Sequence, residues 1–319
     1  MILFLIVILL AALFFTAVMF IDNHRFVVRN YTVRSGEIKS PMKIVFIADL
    51  HEKDYGNGNE ELVREIAAKE PDLILVGGDL IVSGKVRKRS RKAEKSAGSG
   101  PGQDPGAEWM KNSIALMNKL ARICPVWFVR GNHEIRLGYY EELREYDALV
   151  EEQMEAAGVS LIENSCVDTG AVCSGCAGSG IRLQGLELPM EYYTKFKKTV
   201  LSEEDLERLI GRPDPSAFTV LLTHTPVYFD TYVRWGADLC LCGHVHGGLM
   251  RLPLIGGVMG TRPNLFPKYS GGQYFYRTAD GKRTGTMVLT CGLGMHTLPI
   301  RIFNPGEISV IELRPEESS

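Results

Sequence analysis

The segment MKIVFIADLHE, residues 42–52, joins a run of apolar residues to the polar pair Asp49 and His51. A short, continuous apolar run of this kind is typical of a strand that is buried on both faces of a sheet. Four later segments repeat the pattern: PDLILVGGDL (71–80), PVWFVRGNHE (125–134), AFTVLLTHTP (217–226) and ADLCLCGHVHGG (237–248). Helical spacing between them, as at 59–70 and 203–210, predicts an α/β fold whose ligands bind beyond the carboxyl ends of the strands.

The side chains at these strand ends are of the types that bind divalent metal ions. They are Asp49, His51, Asp79, Asn132, His133, His224, His244 and His246, which include five of the seven histidines. Buried polar groups without partners cost about 1–3 kcal/mol each, so packing alone does not account for five such clusters. Carboxylate, amide and imidazole ligands together suit manganese, iron or zinc. The pattern therefore predicts two divalent ions in the arrangement that activates water and holds a phosphoryl group.

The order DxH, GD, GNH[DE], a lone His and GHxH resembles the calcineurin-like metallophosphoesterases, from about residue 42 to the end of the chain. This resemblance implies a four-layer αββα sandwich as the specific α/β fold. The endings LTCGLG (289–294) and PGEISVIEL (305–313) look, more loosely, like the membrane-anchored bacterial branch. That branch includes hydrolases of UDP-2,3-diacylglucosamine.

The resemblance also implies a role for each residue of the clusters. Asp49, His51 and His246 would bind one ion, and Asn132, His224 and His244 would bind the second, with Asp79 bridging both. His133 would be the catalytic residue, which protonates the leaving oxygen or stabilises developing charge. Residues two apart in an extended segment point the same way, so His244 and His246 can both face the site.

Three positions near these motifs are less certain in role. The family often has a second Asp in GDxxD where this chain has Val82, which leaves open what supports Asp79 or His133. His296, in a glycine-rich loop, is a candidate for substrate contact, and the alternative is a structural role. Arg301 could bind a substrate phosphate or pair with Glu307.

Residues 1–21 carry no charge and only one polar side chain, Thr16. About 20 such residues span a bilayer as a helix, so we expect an N-terminal transmembrane anchor. A cleaved signal peptide is the alternative, although no basic residue precedes the apolar run. Basic residues follow at Arg25, Arg29, Arg34, Lys39 and Lys43. By the positive-inside rule they place the body of the protein on the cytoplasmic side.

The predicted organisation is an anchor (1–21), a connecting strand segment (22–41) and a phosphoesterase domain (42–315) that carries a basic, disordered insertion at 84–107. The insertion could contact anionic lipid headgroups or be a solvated loop. Seven cysteines in no disulfide-like framework favour a reducing compartment. Cys173 and Cys176 form a CxxC that is interpreted as two turn thiols, with a zinc half-site or a redox pair as the alternative.

Together these features predict a membrane-anchored hydrolase that uses two divalent ions to cleave a phosphoester or pyrophosphate, with a lipid-linked or headgroup substrate favoured by the anchor. A nucleotide phosphodiesterase or nuclease is the second enzymatic hypothesis, because the basic insertion could steer nucleic acid. A non-catalytic binding module is the third. It would be expected to lack ligands that this chain retains. Nothing in the sequence identifies a protein partner.

Overall fold

The computed structural model describes residues 1–95, 108–194, 199–260, 264–295 and 298–317. The helices are α1 (Ile2–His24), α2 (Glu60–Ala67), α3 (Ser83–Lys95), α4 (Lys111–Leu120), α5 (Asn132–Tyr139), α6 (Arg144–Ala156), α7 (Thr169–Val172), α8 (Glu203–Ile210) and α9 (Phe229–Trp235). The strands are β1 (Phe26–Ser35), β2 (Met42–Ile47), β3 (Leu73–Val76), β4 (Val126–Phe128), β5 (Val159–Leu161), β6 (Cys166–Asp168), β7 (Ile181–Leu186), β8 (Phe218–Thr223), β9 (Leu239–Cys242), β10 (Arg251–Leu252), β11 (Gly256–Gly257), β12 (Gly272–Arg277), β13 (Thr284–Leu289) and β14 (Gly306–Pro315).

Two six-stranded sheets form the centre of the molecule. The first has the order β1-β14-β2-β3-β4-β5, and the second has the order β12-β13-β9-β8-β7-β6. Strands β2 to β5 run parallel to one another, as do β7, β8, β9 and β13. The strands predicted to carry the polar clusters are therefore neighbours, and within each sheet their carboxyl ends lie at the same edge.

Alternate residues of each strand face different hydrophobic cores. In β2, Ile44 and Phe46 point into a core between the two sheets, whereas Val45 and Ile47 point into a core covered by helices. In β8, Val220 and Leu222 join the central core, whereas Leu221 faces a third core with α8 and α9. This gives helices, sheet, sheet and helices in four layers, which confirms the predicted αββα sandwich.

The segment 22–41, predicted to be a connecting strand, belongs to the first sheet. Strand β1 pairs in parallel with β14, from Phe26 opposite Gly306 to Ser35 opposite Pro315. Helix α5 (Asn132–Tyr139) begins inside the third strand-end motif, after Gly131. The extended pattern therefore ends at Phe128.

The prediction that the insertion is disordered from residue 84 onward is wrong for its first part, because Ser83–Lys95 forms helix α3. Val86 is fully buried in a core, and Lys, Arg and Ala are strong helix formers. Arg87 also lies over the ring of Tyr140 and donates to Glu142 Oε1 at 3.3 Å. The prediction for 96–107 falls outside the described residues.

The prediction of two separate turn thiols is also wrong, because Cys173 and Cys176 are joined as a disulfide. The end of α7 and the turn after it bring their Cα atoms to 5.2 Å, within the usual range for a disulfide.

Helix α1 is long and apolar enough to cross a membrane by length and composition, with a mean hydropathy of 3.1 and no burial of its apolar window. It is the only such helix among the described residues. Its last turn contacts the body of the protein. There the buried carboxylate of Asp22 forms an ion pair with Arg25 at 2.8 Å and accepts the backbone N–H of Asn304 at 3.0 Å.

Candidate metal centre

Two groups of potential ligands meet where the strands of both sheets end. The first consists of Asp49, His51, Asp79 and His246, all of them buried. The second consists of Asp79, His224 and His244. In each group the ligand atoms lie within 4.8 Å of one another. Six of the seven predicted ligands are thus brought together, and Asp79 is shared as predicted for a bridging carboxylate.

The position of the Asp79 carboxylate explains how it can serve both groups. Its Oδ2 atom lies 3.8 Å from His51 Nε2 and 3.2 Å from His224 Nε2. Its Oδ1 atom accepts the backbone N–H of His133 at 2.8 Å. Asp79 itself has a positive φ of 56°, so the turn after β3 aims the carboxylate at the site in a backbone conformation unusual for a side chain other than glycine.

Backbone carbonyls orient three of the histidines. The Nδ1 atoms of His51, His246 and His224 lie 3.0, 3.1 and 2.7 Å from the carbonyls of Ile81, Gly294 and Gly77. Each Nδ1–H donates to its carbonyl, which leaves the Nε2 lone pair directed into the site. A hydrogen bond of this kind on the outer nitrogen is the usual support of a metal-binding imidazole.

His244 is held differently, because it approaches His224 through its Nδ1 atom, 3.1 Å from His224 Nε2. The backbone N–H of His244 donates to both carboxylate oxygens of Asp49, at 2.9 and 3.1 Å. Glycine is required beside this carboxylate: a Cβ atom at Gly243 or Gly292 would lie within 3 Å of Asp49. The GHxH turn can therefore close tightly on the first acid.

Asn132, the remaining predicted ligand, is the first residue of α5 and is buried. Its Oδ1 atom accepts no hydrogen bond from the residues that the structure describes. Because a buried acceptor without a donor is costly, this oxygen fits the position of a metal ligand. The whole donor set of carboxylates, imidazoles and one amide oxygen is suited to a pair of divalent ions.

The charges of the site also favour cations. Burial raises the pKa of Asp49 to about 7 against the opposing effect of His224. Burial alone would lower the pKa of His224, but Asp79 and Asp49 raise it to about 9. A proton thus remains between His224 and Asp79 in the absence of metal. Binding of a cation would displace it, as expected when metal binding and deprotonation are coupled.

Ser83 supports His133, and it stands one residue after the Val82 that replaces the second Asp of the family pattern. Both the backbone N–H and the hydroxyl of Ser83 lie 3.0 Å from His133 Nδ1. Arg136 donates to the Ser83 hydroxyl at 3.2 Å, so the hydroxyl hydrogen is directed at the imidazole. With Nδ1 accepting, the neutral ring carries its proton on Nε2, which lies 4.0 Å from Asp79 Oδ2.

The sequence reasoning did not assign roles to two buried residues beside the site. Glu134 is fully buried and accepts the backbone N–H groups of Asp79, Ile81 and Gly131 at 2.8, 3.1 and 2.9 Å. It therefore links the turn after β3 to the turn after β4. Its position in the GNHE motif was the sequence feature that could have indicated this role. Burial raises its pKa to about 7.

Tyr193 is the second such residue. Its ring centroid lies 5.5 Å from that of His244 and 6.0 Å from that of His224. Its hydroxyl is buried and has no hydrogen-bond partner among the described residues. No sequence motif marks this tyrosine, because a loop far from the ligands in sequence brings it to the second group.

Of the two predicted substrate contacts, only Arg301 lies among the described residues, and its donors are used inside the protein. Arg301 is only 1% exposed, and its guanidinium donates to the carbonyls of Cys291, Gly292, Gly294, Asn304 and Pro305. Arg301 thus connects the 291–294 loop to the turn before β14, whereas Glu307 forms an ion pair with Arg29 at 3.2 Å. His296 lies outside the described residues.

Comparison with known proteins agrees with this geometry. The chain is 23% identical over 290 residues to an uncharacterized metallophosphoesterase of Helicobacter pylori J99, with 89% of this chain and 62% of that protein covered. It therefore spans less than two thirds of that relative. It is 24% identical over 302 residues to the uncharacterized metallophosphoesterase YkuE of Bacillus subtilis, covering 92% of this chain and 88% of YkuE. It is 26% identical over 223 residues to the phosphodiesterase YaeI of Escherichia coli, covering 68% of this chain and 65% of YaeI.

A family model described as calcineurin-like phosphoesterase matches residues 42–248, a span that contains all five strand-end motifs. Because this match covers more than half of the chain and every residue of the two ligand groups, the chain belongs to the calcineurin-like phosphoesterase family.

Proposed function

We propose that this chain is a phosphoesterase that holds two divalent ions and hydrolyses a phosphoester or pyrophosphate bond of a lipid-linked substrate. The observation that carries the proposal is the pair of ligand groups sharing Asp79, with His133 Nε2 4.0 Å from the same carboxylate oxygen. This arrangement combines a possible cation site with an N–H donor at one point. Metal-assisted hydrolysis of a phosphoester can use both.

When bound, the two ions would lower the pKa of a water molecule and stabilise charge on the phosphoryl group. Asp49, His51 and His246 would hold the first ion, Asn132, His224 and His244 would hold the second, and Asp79 would be shared by both. His133 donates a hydrogen bond from its Nε2–H toward the leaving oxygen and stabilises the charge that develops there, because Ser83 occupies Nδ1 and keeps the proton on the inner nitrogen.

Tyr193 is proposed to contact the substrate. Its hydroxyl lies in the wall of the second ligand group and, being buried without a partner among the described residues, can donate to a phosphoryl oxygen. Burial raises its pKa well above the usual value, so it acts as a neutral hydrogen-bond donor.

The lipid-linked substrate is inferred from α1. A helix of 23 residues with mean hydropathy 3.1 would anchor the chain in a bilayer, with the body on the cytoplasmic side by the positive-inside rule. The end of this helix is also close to the ligand groups: Asn304 donates its backbone N–H to Asp22 and its side-chain amide to the carbonyl of His246, the latter at 2.7 Å. A phosphoester at the bilayer surface would therefore be close to the site.

The test is an activity screen of the full chain in detergent with manganese, zinc or iron. Substrates are bis(p-nitrophenyl) phosphate, p-nitrophenyl phosphate and a UDP-diacylglucosamine analogue. We expect turnover that EDTA abolishes and that Asp79→Asn reduces by about 10²-fold or more, because the isosteric amide cannot bridge two cations. Asp72→Asn is the matched control, since that carboxylate accepts the backbone N–H of Lys43 at the amino end of β3, whereas Asp79 follows its carboxyl end. Full activity of Asp79→Asn would refute the metal mechanism. Faster cleavage of a soluble nucleotide diester, assayed beside the lipid, would refute the substrate class alone.

A further inference from the structure

Exposed apolar side chains cluster on the face of the protein next to the anchor helix. We call the set formed by Leu254, Ile255, Leu265, Phe266, Leu298 and Phe303 the anchor-side surface. Each of these side chains is more than 40% exposed, and Leu254 is fully exposed. Folded domains rarely present contiguous apolar surface to water without a binding role.

Backbone pairing shows that these residues are neighbours although three segments supply them. Strands β10 and β11 form a hairpin whose turn carries Leu254 and Ile255. A bridge between Met250 and Ile302 places this hairpin beside Phe303. Leu254, Ile255 and Phe303 line one cavity of about 600 Å³ together with Pro267, the residue after Phe266.

The anchor-side surface is continuous with helix α1. The ring of Phe303 lies 6.3 Å, centroid to centroid, from the rings of both Phe14 and Phe15. Asn23 at the end of the same helix donates to the carbonyl of Pro299 at 2.8 Å, next to Leu298. The helix that would cross the bilayer therefore leaves the protein body beside the exposed apolar residues.

We propose that the anchor-side surface inserts into the interfacial region of the bilayer that α1 spans. This inference rests on the proposed membrane anchorage and identifies the occupant as lipid. Side chains next to a transmembrane segment are held within reach of the acyl chains, and their transfer out of water is favourable. Because Asn304 follows Phe303 and hydrogen-bonds the carbonyl of His246, insertion would also hold the ligand groups at a set orientation to the lipid surface.

Leu254→Trp measures the insertion directly. The full chain is reconstituted in phosphatidylcholine vesicles with and without phosphatidylcholine brominated in its acyl chains, which quenches nearby tryptophan. We expect brominated lipid to remove the emission that the new tryptophan adds to that of the wild type. Tyr139→Trp is the control. Tyr139 is 65% exposed and ends the helix after β4, toward the edge of the first sheet opposite β1. Its added emission should be unaffected.

The outcomes separate the surface from the anchor and from catalysis. If the chain resists alkaline extraction from the vesicles but Leu254→Trp is not quenched, the inserted surface is refuted while the anchor stands. If the chain is extracted, both are refuted. Shielding of the new tryptophan that depends on protein concentration but not on bromine would mean that a second copy covers the surface, which also refutes the proposal.

A second variant links the surface to activity. Leu254→Glu places a charge on a fully exposed side chain, so the fold should be retained. We expect kcat/KM for a phosphoester embedded in the vesicle to fall about 10-fold, as from the loss of one buried leucine, with bis(p-nitrophenyl) phosphate cleaved at the wild-type rate. Equal loss on both substrates would contradict an effect through the bilayer. A chain with no phosphoesterase activity at all would refute the proposed function, and the quenching result would still decide the surface.

Discussion

Asn132→Ala should have opposite effects on stability in the absence and in the presence of metal. Without metal, the variant removes a buried oxygen that accepts no hydrogen bond from the described residues. Such an atom costs about 1–3 kcal/mol, and Ala is also the better helix former at the first position of α5. The variant also loses some packing, which offsets part of this gain. The free energy of unfolding in EDTA should therefore be unchanged or higher by up to about 2 kcal/mol.

With metal, the same substitution removes a ligand of the second ion. Even the loss of a residue that only supports a ligand lowers metal affinity about 10–100-fold, so we expect at least this decrease. At a fixed excess of Mn²⁺, the ion should therefore stabilise the variant by about 1.4–2.7 kcal/mol less than it stabilises the wild type. In a chain of this size that corresponds to a few degrees of the thermal midpoint, at roughly 2 °C per kcal/mol.

The assay is thermal unfolding of the full chain in detergent, followed by intrinsic fluorescence in EDTA and over a series of Mn²⁺ concentrations. Asn59→Ala is the matched control. Asn59 is also buried, but its Oδ1 accepts the backbone N–H of Tyr55 at 2.9 Å and its side-chain amide donates to the backbone carbonyl of Lys53 at 3.1 Å. That variant should lower both midpoints equally. If Asn132→Ala behaves in the same way and keeps the full metal-induced shift, Asn132 is not a ligand.

Four further outcomes are expected. Asp79→Ala should lose both ions, measured as metal content per chain, and retention of one full equivalent would show that the carboxylate does not bridge. His133→Gln should lower kcat about 10²–10³-fold with metal content intact, the range for loss of a donor to developing charge, and an unchanged kcat would exclude this role. Tyr193→Phe should lower kcat/KM about 10-fold without lowering the thermal midpoint, because the hydroxyl has no partner among the described residues; a lower midpoint with unchanged kinetics would indicate a structural role. Burial raises the pKa of Asp238 from 3.8 to about 6, so its protonated form stabilises the fold below pH 3.8 and that stabilisation is lost as pH rises through 6. Asp238→Asn should therefore raise the thermal midpoint at pH 8 but not near pH 4, and a pH-independent difference would contradict the shift.

The sequence by itself determined the fold class and picked out the six side chains that cluster, because both depend on local patterns. An apolar run followed by a polar pair is a property of consecutive residues, and parallel strands necessarily bring their carboxyl ends together. Asp49, Asp79 and His224 could thus be assigned to one site without any knowledge of their distances. The apolar helix at the N-terminus was equally local, since length and hydropathy define it.

Only the tertiary structure decided which groups support these ligands and which do not reach the site. Ser83 supports His133 through a backbone N–H that no residue type reveals. Arg301 was a candidate phosphate ligand, yet its guanidinium is buried and donates to backbone carbonyls. Tyr193 reaches His244 from a loop with no motif. In each case the deciding contact joins segments distant in the chain. Its geometry follows from how the layers pack rather than from the order of the residues.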